Sequence, residues 1–174
     1  KADAYGHGAS AVARTLERAG MPGLCVALLE EGIELRSAGI RVPILVMGGY
    51  YGPRREGLEE LLAQGLVPVV YDAEQIERIA SIVRYHGGAV PRAEGVDAGD
   101  GRAAVHLKID TGMGRLGVSE GDLDEVLRAI AAHPEVRLDG LMTHLACADG
   151  DDLDATRLQL KRFEAATARA LAMG

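Results

Sequence analysis

The chain has no tryptophan, one phenylalanine and an aromatic content of 3%. Its core must therefore be assembled from Leu, Val, Ile and Ala, which suits helices packed on a buried parallel sheet. Only two cysteines occur, Cys25 and Cys147, far apart and without C-x-x-C spacing. That excludes a disulfide framework and a cysteine zinc site, and it fits a reducing cytoplasm. No apolar run approaches the length of a membrane span and no signal peptide is visible. No cluster of Lys or Arg offsets a net charge of −7, which argues against a nucleic-acid or membrane-surface partner. His, Asp and Glu show no metal-ligand spacing, and neither a G-x-S-x-G nor a Walker pattern is present. What remains is 48% hydrophobic content over 174 residues, enough for one compact domain with a sizeable core.

Short apolar runs begin about every twenty to twenty-five residues and alternate with amphipathic segments, the pattern of βα units feeding a parallel sheet. Strands are expected over residues 24–29, 43–47, 67–71, 103–110 and 138–145. Helices are expected over about 9–19, 30–38, 54–63, a stretch from Asp72 through Val83, a stretch from Asp122 to His133, and 153–171. Gly20, Gly39 and Gly65 supply stop signals, and Asp72 with Gln75 makes a capping box. In the first helix Val12, Leu16 and Ala19 recur at helical spacing, and in the last Leu160, Phe163, Ala166 and Ala170 share a side. Residues 86–102, rich in glycine and mixed charge, read as a mobile insertion rather than an interdomain linker.

Side chains alternate faces along a strand. Over 103–110 this puts Val105, Leu107 and Ile109 on one side and His106, Lys108 and Asp110 on the other. With helices over the apolar face, three ionisable groups point inward, which is costly unless they are paired or hydrogen-bonded. Six helices against five strands imply a further strand before residue 1, so Lys1, the turn after Asp110 and His144 all fall at strand ends. In a (β/α)8 barrel of the TIM type that is where catalytic groups lie. An open doubly wound sheet fits the same alternation equally well.

The first eight residues, KADAYGHG, combine parts that seldom occur together. A lysine that forms an imine needs a dry site to lower its pKa, and a phosphate-bearing partner needs a hydroxyl, pliant backbone and a helix start nearby. Lys1, Tyr5, Gly6 and Gly8 supply these, although the bare spacing also describes a surface lysine before a glycine-rich helix entry. The whole octapeptide resembles the signature of the alanine racemases. VHLKIDTGMGRLGV (residues 105–118) and LDGLMTHLACAD (138–149) resemble two further segments of that family, in the same order.

The resemblance covers essentially all 174 residues and implies a fold type III enzyme built on a (β/α)8 barrel, incomplete in this chain, with a C-terminal β domain expected beyond Gly174. It implies pyridoxal 5′-phosphate held on Lys1 as an internal aldimine, with Lys1 also the base on one face of the substrate. Tyr5 is implied to contact the cofactor phosphate. Arg115 is implied to contact the cofactor's phenolic oxygen and the substrate carboxylate, which an arginine can bind bidentately. His144 corresponds to a histidine near the pyridine ring, with a core histidine as the other reading. Lys108 corresponds to a lysine often carried as a carbamate, with an ion pair to Asp110 or a neighbouring strand's acid as the alternative. His7, His106 and Asp3 are assigned to hydrogen bonds that hold loop and strand.

By the same resemblance the substrate is alanine, D-alanine is supplied for peptidoglycan, and the full-length enzyme is a cytoplasmic homodimer whose partner subunit lends a tyrosine as second base. A broader racemase acting on serine, or a non-catalytic barrel module, are the rivals, with Lys108 leaning towards the alanine type. The isolated segment, with open sheet edges, is expected to be inactive.

Overall fold

The computed structural model describes residues 2–48, 55–90 and 99–173. Among them run five strands, β1 (Leu24–Val26), β2 (Ile44–Val46), β3 (Val67–Val70), β4 (Ala103–Lys108) and β5 (Val136–Met142). Six helices of nine residues or more accompany them: α1 (Ala9–Arg18), α2 (Leu29–Ser37), α3 (Arg55–Ala63), α4 (Ala73–Tyr85), α5 (Leu123–Ala132) and α6 (Asp154–Ala172). The sheet order is β1-β2-β3-β4-β5. Strands that neighbour one another strictly in sequence order belong to a barrel-type winding, whereas a doubly wound sheet reverses direction part-way. The open-sheet alternative is thereby set aside.

The chain divides into two compact units, one of residues 1–69 and 82–103, the other of 70–81 and 104–174. In the first, β1 pairs parallel with β2 (Leu24 opposite Ile44, Val26 opposite Val46) and β2 with β3 (Leu45 opposite Val67). Leu35, Ile40, Ile44, Val46, Leu61 and Leu66 form its core. The loop entering β2 is gripped from both polarities. Glu17 of α1 accepts the amides of Arg41 (2.7 Å) and Val42 (2.9 Å). Arg36 of α2 donates to the carbonyls of Ile40, Val42, Gln64 and Gly65 at 2.8–3.0 Å. These amide bonds hold the Glu17 carboxyl below its ordinary range, since they favour the charged form.

Strand β1 ends at Val26, short of the expected 29. Glu31 is responsible: its Oε2 accepts the amides of both Ala27 (2.8 Å) and Leu28 (2.9 Å), turning the chain into α2. The first helix buries only Ala13, while Leu16 is exposed. Of the capping box at α4, Asp72 accepts the amide of Gln75 (2.7 Å), and Gln75 reaches one residue further back, to the amide of Tyr71 (2.8 Å). The predicted helix start at Arg54 lies outside the described residues, as does 91–98 of the 86–102 insertion. The ends of that insertion are tied together by Val90 N–H donating to the Gly101 carbonyl (3.1 Å).

In the second unit Val105, Leu107, Leu123, Val126 and Ile76 are fully or almost fully buried. β5 stops at Met142 instead of 145, for reasons that involve α6 and are described below. The face that α6 buries is Thr156, Gln159, Ala166 and Ala170. Leu160, expected on that face, is exposed. No helix among the described residues is long and apolar enough to cross a membrane.

Candidate functional site

Residues 2–8 precede α1 in a single tight coil. Ala2–Gly6 makes one short helical turn whose centre is left-handed, with φ of 55° at Asp3, 51° at Ala4 and 60° at Tyr5. Left-handed backbone costs an L-residue roughly 1–2 kcal/mol, and such strain persists only where neighbours impose it. Here Asp3 is the fixing group: its Oδ1 accepts the amide of Ala9 at 2.6 Å, and its carbonyl accepts the amide of Gly8 at 3.1 Å. Gly6 and Gly8 are left-handed too, at φ 83° and 87°, where glycine carries no such cost. The turn leaves the Tyr5 side chain 72% exposed. A cleft of about 580 Å³ beside it is lined by Tyr5, His7, Val12, Leu16, Leu24 and Val26, among others. Lys1 lies outside the described residues. Of the residues assigned to loop-holding bonds, Asp3 makes them.

The second cluster grows from the end of β4. Val105 and Leu107 are fully buried, and on the alternate face His106 is half-buried and Lys108 is only 7% exposed. His106 lies against Gly140 of β5 so closely that a Cβ there would sit 2.6 Å from its ring. Burial lowers the His106 pKa, and Asp139 partly offsets this. The Lys108 side chain makes no hydrogen bond or ion pair with any described residue. Burial, followed by the neighbouring positive charge of Arg115, lowers its pKa, with Asp110 acting weakly the other way. The Lys108–Asp110 ion pair considered from sequence is therefore not formed, because Asp110 is committed elsewhere.

Asp110 Oδ1 accepts three backbone amides, from Gly112 (2.9 Å), Met113 (2.9 Å) and Gly114 (3.1 Å). Desolvation pushes its pKa up, but these bonds and Lys108 together bring it below the ordinary value. The loop is closed at its base by a parallel bridge between Ile109 and Val118, with Asp110 N–H to Val118 O at 2.9 Å and Val118 N–H to Lys108 O at 2.8 Å. The bridge brings backbone so close that a Cβ on Gly117 (φ 137°) would stand 2.5 Å from the Asp110 nitrogen. Within this ring Arg115 is held with its side chain exposed and without an ion pair to any described residue.

His144 follows the end of β5 by two residues and is exposed, so the core-histidine reading fails. The chain around it is anchored by residues the sequence reading did not single out. Thr143 donates its hydroxyl to the Ile109 carbonyl (2.8 Å), Gln159 donates to the His144 carbonyl (3.1 Å), and Ala146 N–H donates to Gln159 (2.9 Å). Lys108, Arg115 and His144 thus sit at or just beyond two strand ends in one unit, and Tyr5 sits in the other.

A family model described as alanine racemase, N-terminal domain, matches residues 1–174. The chain belongs to this family. The alanine racemase of Sorangium cellulosum is 64% identical over all 174 residues, and that of Symbiobacterium thermophilum 42% identical over the same length. The chain spans 43% and 42% of these two relatives, less than half of each. Among solved structures, alanine racemase from Clostridium difficile 630 superposes with a TM-score of 0.84 at 33% identity, covering 99% of this chain and 41% of that one. The sequential sheet described above is consequently an incomplete (β/α) barrel of the alanine racemase type.

Proposed function

We propose that the chain is the cofactor-binding portion of a pyridoxal 5′-phosphate-dependent alanine racemase, interconverting L- and D-alanine. The observation that carries this is the pair Lys108 and Arg115. A lysine 7% exposed that forms no ion pair with any described residue, close to the positive charge of Arg115 and only partly offset by Asp110, leaves positive charge that an anion would balance. The cofactor's phenolic oxygen and a substrate carboxylate are anions of suitable kind for Arg115, whose guanidinium donates bidentately to planar oxygen pairs. The residues present therefore fit the group.

Bound pyridoxal phosphate supplies an electron sink for the charge left at Cα when an amino acid loses its α-proton. In this reading Lys1 would hold the cofactor through Nζ and its amine would serve as the base that takes and returns the α-proton on one face. The Tyr5 hydroxyl would donate to the phosphate, helped by the pliant backbone at Gly6 and Gly8. Arg115 would hold the substrate carboxylate and the phenolic oxygen, and His144 would lie near the pyridine ring. The lowered pKa of Lys108 keeps more of its amine neutral, as carbamate formation requires: Nζ attacks carbon dioxide, an N–C bond forms and a proton leaves. The resulting anion would lie beside Arg115 and hold it in place. A second proton donor on the opposite face is assigned by family resemblance to a tyrosine of the partner subunit in a homodimer. Two free cysteines suit a reducing cytoplasm, where D-alanine would feed peptidoglycan synthesis.

Borohydride reduction of the full-length protein loaded with pyridoxal phosphate, followed by peptide mapping, tests the assignment. The label is expected on Lys1; a label on another lysine with Lys1 unmodified would sink it. Intact-protein mass spectrometry should show one added carbon dioxide in wild type and none in Lys108→Met.

A further inference from the structure

Gln159 lies on the second turn of α6, is 4% exposed, and uses all of its hydrogen-bonding groups. Its Nε2 donates to Thr111 Oγ1 (3.0 Å) and to the carbonyl of His144 (3.1 Å), while its Oε1 accepts the amide of Ala146 (2.9 Å). Thr111, itself 2% exposed, lies 2.8 Å from the hydroxyl of Thr143. The Thr143 proton goes to the Ile109 carbonyl (2.8 Å), so the proton between the two threonines must come from Thr111. The direction of the chain is thereby fixed: Gln159 to Thr111 to Thr143 to the strand carbonyl. One turn further along α6, Arg162 donates to the Thr111 carbonyl (2.9 Å).

This network links the two strand exits that carry the candidate site. Thr111 belongs to the closed ring that holds Arg115, four residues on, and the His144 carbonyl belongs to the residue whose ring the cofactor reading uses. We propose that Gln159 is a positioning residue, setting His144 relative to the Arg115 ring so that both meet the cofactor. The inference rests on the pyridoxal-phosphate reading for its purpose, but the geometry it describes exists without the cofactor. Only an amide can do this. A glutamate would set oxygen against two acceptors, Thr111 Oγ1 as now oriented and the His144 carbonyl; a methionine of equal length would leave the Ala146 amide and both acceptors without their partner.

The test uses the full-length protein with pyridoxal phosphate as probe, comparing wild type with Gln159→Met, Thr111→Val and Thr111→Ser. Gln159→Met and Thr111→Val should each weaken pyridoxal-phosphate binding about tenfold, the equivalent of one well-made buried hydrogen bond. Each should also move the His144 imidazole signals in the NMR spectrum of the cofactor-free protein. Thr111→Ser, which keeps the hydroxyl, should match wild type in both. The double variant Gln159→Met/Thr111→Val should bind no more weakly than the worse single, because both act through one chain.

Wild-type cofactor affinity together with unmoved His144 signals in Gln159→Met would overturn the inference. If Gln159→Met does not fold, the threonine pair decides, and equal behaviour of Thr111→Val and Thr111→Ser overturns it. A wild type that takes up no pyridoxal phosphate would refute the proposed function instead. The His144 signals would then still report on the positioning claim.

Discussion

Two of the segments that carry candidate site residues are held in unlike ways. The coil before α1 presents Tyr5 from three successive left-handed residues, with one carboxylate oxygen, that of Asp3, bonded to the start of the helix. The ring after β4 presents Arg115 from a backbone that is bridged at its base, filled by Asp110 with three amide bonds, and tied to α6 from outside. The first arrangement holds its strained residues with a single side-chain bond, from Asp3, beside short-range backbone bonds. The second distributes its restraint over several bonds. Under the proposed function, a tyrosine that has only to reach a phosphate would tolerate the former, whereas an arginine that has to meet a planar anion at fixed distance would be better served by the latter.

The sharpest way to break the contrast is Gly117→Ala. A Cβ 2.5 Å from the Asp110 nitrogen, at φ 137°, cannot coexist with the Ile109–Val118 bridge, and a loss of about 3 kcal/mol or more is expected in urea unfolding. Unchanged stability would mean that the bridge is dispensable. Asp110→Ala comes next. It strands three amides, and with partial solvent access to the loop should cost about 1–3 kcal/mol.

The acid limb separates Asp110 from general damage. Its folded pKa is lowered, so its contribution is present above the unfolded carboxylate value of 3.8 and is lost as pH falls through the folded value. Asp110→Asn should therefore flatten the stability profile below about pH 4. A profile parallel to wild type in that range would assign the acid sensitivity elsewhere.

Asp3→Ala removes one bond to the Ala9 amide, and about 1 kcal/mol is expected, the ordinary worth of a helix-start acceptor. If it instead cost as much as Asp110→Ala, the two segments would not differ as described. The smallest effect belongs to Ala4→Gly. At φ 51° glycine relieves the left-handed penalty but adds unfolded-state entropy, and a net gain of roughly 0.5 kcal/mol is expected in thermal melts. Destabilisation would show that the turn is held by contacts of the Ala4 methyl.

Much of this organisation could be read from the residues in order. The six helices and five strands follow from apolar spacing and from glycine stops, and the alternation of Val105, Leu107 and Ile109 against His106 and Lys108 identifies β4 with its two faces. The ends of strands were less legible, because they are decided by side chains outside them. Glu31 stops β1 by taking the Ala27 and Leu28 amides, and past the end of β5 Gln159 takes the His144 carbonyl and the Ala146 amide while Thr143 donates to the Ile109 carbonyl at the exit of β4. Gln159 itself carries no signal. Its partners are 48, 15 and 13 residues away, two of them backbone atoms, and a polar residue on a helix ordinarily reads as solvated. Leu160 is a related case: hydrophobicity places it inward, but the neighbouring Gln159, held by its hydrogen bonds, takes the buried position. Three left-handed residues in a row, none of them glycine, are likewise invisible to propensity, since it is Asp3 and the helix start that impose them.

The amides of Gly112, Met113 and Gly114 all end on one oxygen of Asp110. Rotating that carboxylate away releases the three protons together, and none of them leaves without either that rotation or local opening of the ring. In deuterated water they should exchange at a shared rate, slower than loop amides facing solvent, and Asp110→Asn should speed all three at once. The time constant of the loop that carries Arg115 would then be the time constant of a single χ1 rotation gated by the Ile109–Val118 bridge.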